Sequence, residues 1–149
     1  DPVTSLHNRK AMHKHIDAWY SEEADRRIGV IVIHVEHYSQ FSERFGGLIS
    51  GVILSKIAKK VASYVDNSGL PVRSAGDEFI VLLPDVDNDI ANEIAAKIKQ
   101  GVEKLRFVSV QSGVRLPKMS ITCGISEMNS KASLEQSLNK GRKAMNSDK

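Results

Sequence analysis

Residues Arg73-Ser74-Ala75-Gly76-Asp77-Glu78-Phe79 run from the end of an extended segment, through a small-residue turn and two adjacent carboxylates, into the apolar stretch Phe79 to Leu83. Little side-chain bulk at Ala75 and Gly76 lets a phosphate approach the backbone, and neighbouring carboxylates at Asp77 and Glu78 can hold Mg²⁺ against it. The pattern suits a nucleotide. Leu70 to Ser74 and Glu78 to Leu83 read as the strands of a hairpin closed by the Ala75-Gly76 turn, and Pro84 ends the second strand. Where such a turn needs a positive φ at both central positions, Ala75 carries strain that a glycine would not.

Upstream of the hairpin, Arg27 to Val35 is almost unbroken apolar and β-branched, the composition of a central strand covered on both faces. Before it, Met12, Ile16 and Trp19 recur at helical spacing and predict a helix over Asn8 to Glu23. After it, His37 to Phe45 reads as a short helix stopped by Gly46-Gly47, and Ile49, Ile53, Ile57 and Val61 mark a longer one. Downstream, Ile90, Ile94, Ile98 and Val102 predict an amphipathic helix within Asp87 to Lys104. Strands are expected at Phe107 to Val110 and at Lys118 to Ser126. In the second, Met119, Ile121, Cys123 and Ile125 alternate with Ser120, Thr122, Gly124 and Ser126, as in a strand with one apolar face. A last helix runs from about Ala132 to the end. Strands mixed with helices in this order predict an α/β (α+β) sandwich, with helices on a sheet that contains antiparallel pairs.

With 149 residues, 41% hydrophobic and 26% charged, the chain fits one globular domain over 1–149. The 21 basic and 18 acidic residues are interspersed, so the net charge of +3 forms no footprint for nucleic acid. The single cysteine, Cys123, has no partner for an internal disulfide, sits in an apolar strand context and suits a reducing cytoplasm. No apolar run reaches the roughly 20 residues of a membrane span, and no membrane contact by the domain itself is expected. The chain begins at a motif and stops within a helical pattern, which reads as a domain excised from a larger protein.

The hairpin motif resembles the signature of the GGDEF family, the diguanylate cyclase domains, with Ala75 where the first glycine is usual. Two other stretches share the resemblance and carry it over the whole chain. Asp1-Pro2-Val3-Thr4-Ser5-Leu6-His7-Asn8-Arg9 is similar to the family's opening D-x-L-T-G-L-x-N-R, and Ile121-Thr122-Cys123-Gly124-Ile125 to its late strand. The resemblance implies a nucleotide-cyclase palm, with a central mixed sheet of about five strands surrounded by helices and a β-hairpin carrying the AGDEF turn. It also implies condensation of two GTP into cyclic di-GMP by two facing domains, with Mg²⁺ as cofactor. The fold transfers on the resemblance; the activity rests on the site.

That site departs from the family pattern at most positions. Asp77, the family's metal ligand at the turn, is present with Glu78 beside it, but His34 stands where a second metal-binding aspartate is usual. Neutral imidazole is a poor ligand for hard Mg²⁺. Ser39 replaces a phosphate lysine, Ser42 an asparagine that reads guanine, Gly47 a histidine and Gly51 a guanine-reading aspartate. The product-inhibition motif R-x-x-D falls on Asp66-Asn67-Ser68-Gly69 and is absent, while Lys149 matches the phosphate lysine of the last helix. Losing a metal ligand, a phosphate cation and two base contacts costs roughly 5 to 10 kcal/mol if partly additive.

The expectation is a catalytically degenerate GGDEF domain that binds GTP weakly or not at all. It would act as a regulatory or interaction module in a larger signalling protein of the cytoplasm or its membrane, beside other domains such as a phosphodiesterase module, or as a homodimer. Two alternatives stay open. One is an active diguanylate cyclase whose metal site is rewired through Asp77, His34 and Glu36, with Glu78 assisting deprotonation; the other is turnover of another nucleotide at relaxed base contacts. His34, Glu36 and His37 also suit a transition metal. His13 and His15 read as surface residues, Gly46-Gly47 as a helix stop, Trp19 as a packing anchor or interface residue with Tyr20, and Arg73 as a solvent-facing strand residue.

Overall fold

A computed structural model describes residues 1, 3–65, 67–107 and 116–147. The elements follow as α1 (Arg9–Glu22), β1 (Ile28–Val35), α2 (Tyr38–Phe45), α3 (Gly47–Ser63), β2 (Leu70–Ala75), β3 (Glu78–Pro84), α4 (Asn88–Glu103), β4 (Ile121–Met128) and α5 (Leu134–Ser147). Among the described residues the sheet has four strands in the order β2-β3-β1-β4, every neighbouring pair antiparallel. Four of the about five strands expected are therefore present among the described residues, and the pairs they form are antiparallel. The strand predicted at Phe107 to Val110 lies, except for Phe107, outside the described residues.

Two hydrophobic cores account for the unbroken apolar run of β1. Its odd-numbered side chains Ile31, Ile33 and Val35 pack with Phe79, Val81 and Leu83 of β3 against α3 and α4. Its even-numbered side chains Ile28, Val30 and Val32 pack with Ile80 and Leu82 against α1 and α5. A strand buried on both faces has no position left for a polar residue until its end, where His34 is half-buried.

The helix ends follow local chemistry. Asn8 caps α1 by accepting from the Ala11 N–H at 2.9 Å, and Asp87 caps α4 by accepting from Ile90 at the same distance. Gly46, at φ +87°, joins α2 to α3, a backbone state that L side chains rarely adopt. This agrees with a helix stop.

Three packing expectations need correction. Ile90 is 46% exposed, and the buried stripe of α4 is Ala91, Ala95, Ile98 and Val102, because the helix is rotated to set its small residues against the sheet. The late strand begins at Ile121, and both its faces are covered: Gly124 and Ser126 are buried alongside Ile121 and Met128. The cause is α5, which lies so close that a Cβ on Gly124 would sit 1.8 Å from the Gly141 carbonyl oxygen. Lastly, Ala75 carries no strain. Among the described non-glycine residues positive φ occurs at Ser5, His37 and Asp85 only, so the turn closes without the left-handed backbone that would demand glycine.

Candidate functional site

The turn stands at the end of the sheet where β1 stops. Register places His34 directly across from Glu78 on β3 and from Thr122 on β4. Beyond it the Val35 N–H donates to the Asp77 carbonyl at 2.9 Å, and the Glu36 N–H to the Ser120 carbonyl at 2.9 Å. These backbone bonds bring His34, Glu36, Asp77 and Glu78 to one end of the sheet.

His34 sits between two carboxylates, with Nε2 2.9 Å from Asp77 Oδ2 and Nδ1 3.3 Å from Glu36 Oε1. Thr122 Oγ1 donates to the same Glu36 oxygen at 2.8 Å. The imidazole thus bridges the family's metal aspartate to a second acid rather than standing beside them. Glu78 is held more firmly. Arg142 donates from Nε to Oε1 at 2.8 Å and from Nη2 to Oε2 at 3.1 Å, a two-pronged pair, and Ser74 Oγ donates to Oε2 at 2.6 Å. The Glu78 side chain is 13% exposed. Burial alone would raise its pKa, but the hydrogen bonds from Arg142 and Ser74, with the charge of Arg142, leave it below the ordinary glutamate value.

Arg142 is the residue that sequence reasoning missed. It lies on α5, 64 positions from Glu78, and the only hint in the sequence was an arginine within the last helical pattern. Arg73 is also corrected: its side chain is 18% exposed rather than solvent-facing. Its Nη1 donates to Asp1 Oδ2 at 3.1 Å, and Nη2 to the Gly76 carbonyl at 3.3 Å. The opening motif therefore ties down the turn, since Asp1 also accepts from the Thr4 N–H at 3.0 Å.

Beside the turn is an open cavity of about 400 Å³ lined by Tyr38, Ser39, Ser42, Glu43, Gly76 and Asp77. Among the described residues its lining side chains are hydroxyl and carboxylate, with Glu43 and Asp77 supplying the charge. Ser42 Oγ lies 3.2 Å from Ser50 Oγ, which itself donates to the Gly47 carbonyl, so that pair is engaged within the α2–α3 corner. Ala75 and Gly51 do not line the cavity; a Cβ on Gly51 would meet Val3 at 3.9 Å. Lys149 lies outside the described residues. Among the described residues, no group of three or more histidine, cysteine or acidic side chains is arranged to hold a metal ion.

Comparison with known proteins agrees with the motif reading. The family model described as diguanylate cyclase, GGDEF domain, matches residues 1–149. The chain is 25% identical over 135 residues to diguanylate cyclase VdcA of Vibrio cholerae, covering 91% of this chain and 39% of that protein. It is 29% identical over 128 residues to the response regulator PleD of Caulobacter vibrioides, covering 85% and 28%. The chain thus spans well under half the length of these relatives. In fold it resembles the GGDEF domain of DgcB from Caulobacter crescentus, solved in complex with c-di-GMP, with a TM-score of 0.90 at 18% identity over 99% of this chain and 88% of that one.

Proposed function

The chain belongs to the GGDEF family, and from that premise we propose that it is a non-cyclising member, a regulatory or interaction module of cyclic di-GMP signalling within a larger protein. The observation that carries the reading is the state of the two turn carboxylates. Asp77 is engaged by the His34 imidazole, and both oxygens of Glu78 by Arg142. The donor set does not fit Mg²⁺. That ion takes about six oxygens in near-octahedral array, whereas here a nitrogen ring and a guanidinium hold the carboxylates it would use. A Mg²⁺-bound triphosphate would have to break both pairs, and the described lining of the adjoining cavity offers it carboxylates and hydroxyls.

The length relationship supports the modular part of the proposal. This chain covers 39% and 28% of those two relatives, which leaves room beside the matched part for other domains, and a phosphodiesterase module or a second copy of this domain are the partners we propose. The test is calorimetry of the domain with GTP and ATP, each with Mg²⁺ or Mn²⁺, followed by chromatography for cyclic di-GMP. Neither heat of binding nor product is expected. Formation of cyclic di-GMP would overturn the reading in favour of a rewired cyclase, and saturable ATP binding would favour another nucleotide.

A further inference from the structure

A second cavity, of about 430 Å³, opens on the far side of the hairpin from the turn's own pocket, between α1 and the end of β3. Its volume is within the range that small-molecule sites occupy, about 300 to 1,000 Å³. One wall is aromatic. His15 and Trp19, one turn apart on α1, have ring centroids 6.0 Å apart, and His7 meets His15 edge-on at 5.2 Å. The floor is Leu70 and Pro84. This is where Trp19, the single tryptophan of the chain, finds its place: a partly buried ring that faces a cavity.

The rest of the lining carries charge, and its balance is negative. Glu22, Arg26 and Asp85 line the cavity. Arg26 serves three carboxylates at once, Glu22 at 3.6 Å, Glu23 at 3.5 Å and Asp85 at 3.5 Å. These separations pair charge without forming tight hydrogen bonds, and Arg26 Nε, buried, makes none. Of these groups Glu22, Asp85 and Arg26 line the cavity, which leaves one negative charge on its described lining. Asp85 is also one of the few described non-glycine residues at positive φ, +62°, where its backbone N–H donates to the Arg27 carbonyl at 2.8 Å. An aspartate tolerates that conformation better than most side chains.

We propose that this cavity is a binding site for a small organic cation of the ammonium or guanidinium class. A cation is drawn to the face of an indole ring, and its N–H groups find charge-assisted acceptors in Asp85 and Glu22. The Arg26 guanidinium in the lining is already shared among carboxylates, and Asn67, Ser68 and Gly69 at the rim add no positive charge. The site is separate from the turn carboxylates and is independent of whether GTP binds there.

Trp19 emission reads the test directly. The domain is titrated with agmatine at fixed ionic strength, with sodium chloride and guanosine 5′-monophosphate as parallel titrants. A saturable change with agmatine alone is expected. Asp85→Asn, which keeps the shape and the backbone preference, should weaken it at least tenfold, while Asp25→Asn, outside the cavity, should leave it unchanged. Calorimetry of Trp19→Phe with agmatine should show weaker binding as well, and circular dichroism confirms that each variant is folded. A linear response equal to that of sodium chloride would overturn the proposal, as would equal affinity in folded Asp85→Asn, or saturation by the nucleotide instead of agmatine.

Discussion

Arg142 on α5 and Glu78 on β3 form a two-pronged ion pair at 2.8 and 3.1 Å that joins the last helix to the signature turn. The glutamate that opens β3 thereby has both carboxylate oxygens engaged by one guanidinium. A charged side chain this enclosed is tolerated because its charge is matched and its oxygens are all engaged.

Removing the guanidinium leaves the carboxylate enclosed with one hydroxyl donor. Arg142→Ala is expected to cost about 1 to 3 kcal/mol, measured as a lower urea midpoint with an unchanged slope. The pair also sets an acid dependence. Because the folded pKa of Glu78 lies below its ordinary 4.5, the stability it contributes is present above that value and is lost as pH falls through the folded pKa. Urea unfolding from pH 6 to pH 3 should show this loss in the parent protein and a shallower one in Glu78→Gln.

His34 occupies the position between Asp77 and Glu36. His34→Asp places a third carboxylate there, which repels its neighbours until a cation is added. Mn²⁺ at millimolar concentration should raise the thermal midpoint of that variant by about 2 to 4 °C, the shift that roughly 1 kcal/mol of linked binding produces in a domain of about this length. The parent protein should not shift in a differential scanning measurement.

Gly124 and Gly141 let α5 lie against β4 and β1. A Cβ on Gly124 would meet backbone at 1.8 Å, and one on Gly141 would meet Val32 at 2.8 Å. Gly124→Ala is expected to destabilise by about 3 kcal/mol or more, beyond the usual overpacking range because backbone rather than a flexible side chain must yield. Gly76→Ala should be nearly neutral, since nothing lies within 4 Å of its built Cβ and its φ is not positive. Chemical denaturation of the two variants side by side checks the contrast.

Burial pushes the Cys123 thiol up to about 11, with Lys99 opposing the shift. Too little thiolate is present at neutral pH for reaction. Labelling by a thiol-disulfide reagent at pH 8 should therefore be slow in the folded protein and should become rapid once urea unfolds it.

Much of the architecture was legible because it rests on short-range patterns. Arg27 to Val35 announced a strand buried on both faces, and Asn8, Gly46 and Asp87 fell at helix boundaries for reasons of local hydrogen bonding and φ. Legibility failed where contact distance decided the outcome. Ile90 continues the apolar repeat of α4 yet faces solvent, since the helix turns Ala91 and Ala95 toward the sheet. The small residues of the late strand, taken as its polar face, are the surface that admits α5. Arg73 reads as an exposed strand residue until Asp1, 72 positions away, is seen to hold it.

The amino-acid sequence alone settled the family and, over the described residues, the order of helices and strands. These follow from residue identity and spacing along one chain. Only the tertiary structure decided that Asp77 and Glu78, present and chemically able, are engaged by His34 and Arg142. Whether a carboxylate is available depends on what lies within about 3 Å of its oxygens, and residues brought that close by a sheet register and a helix packed across it are distant in sequence.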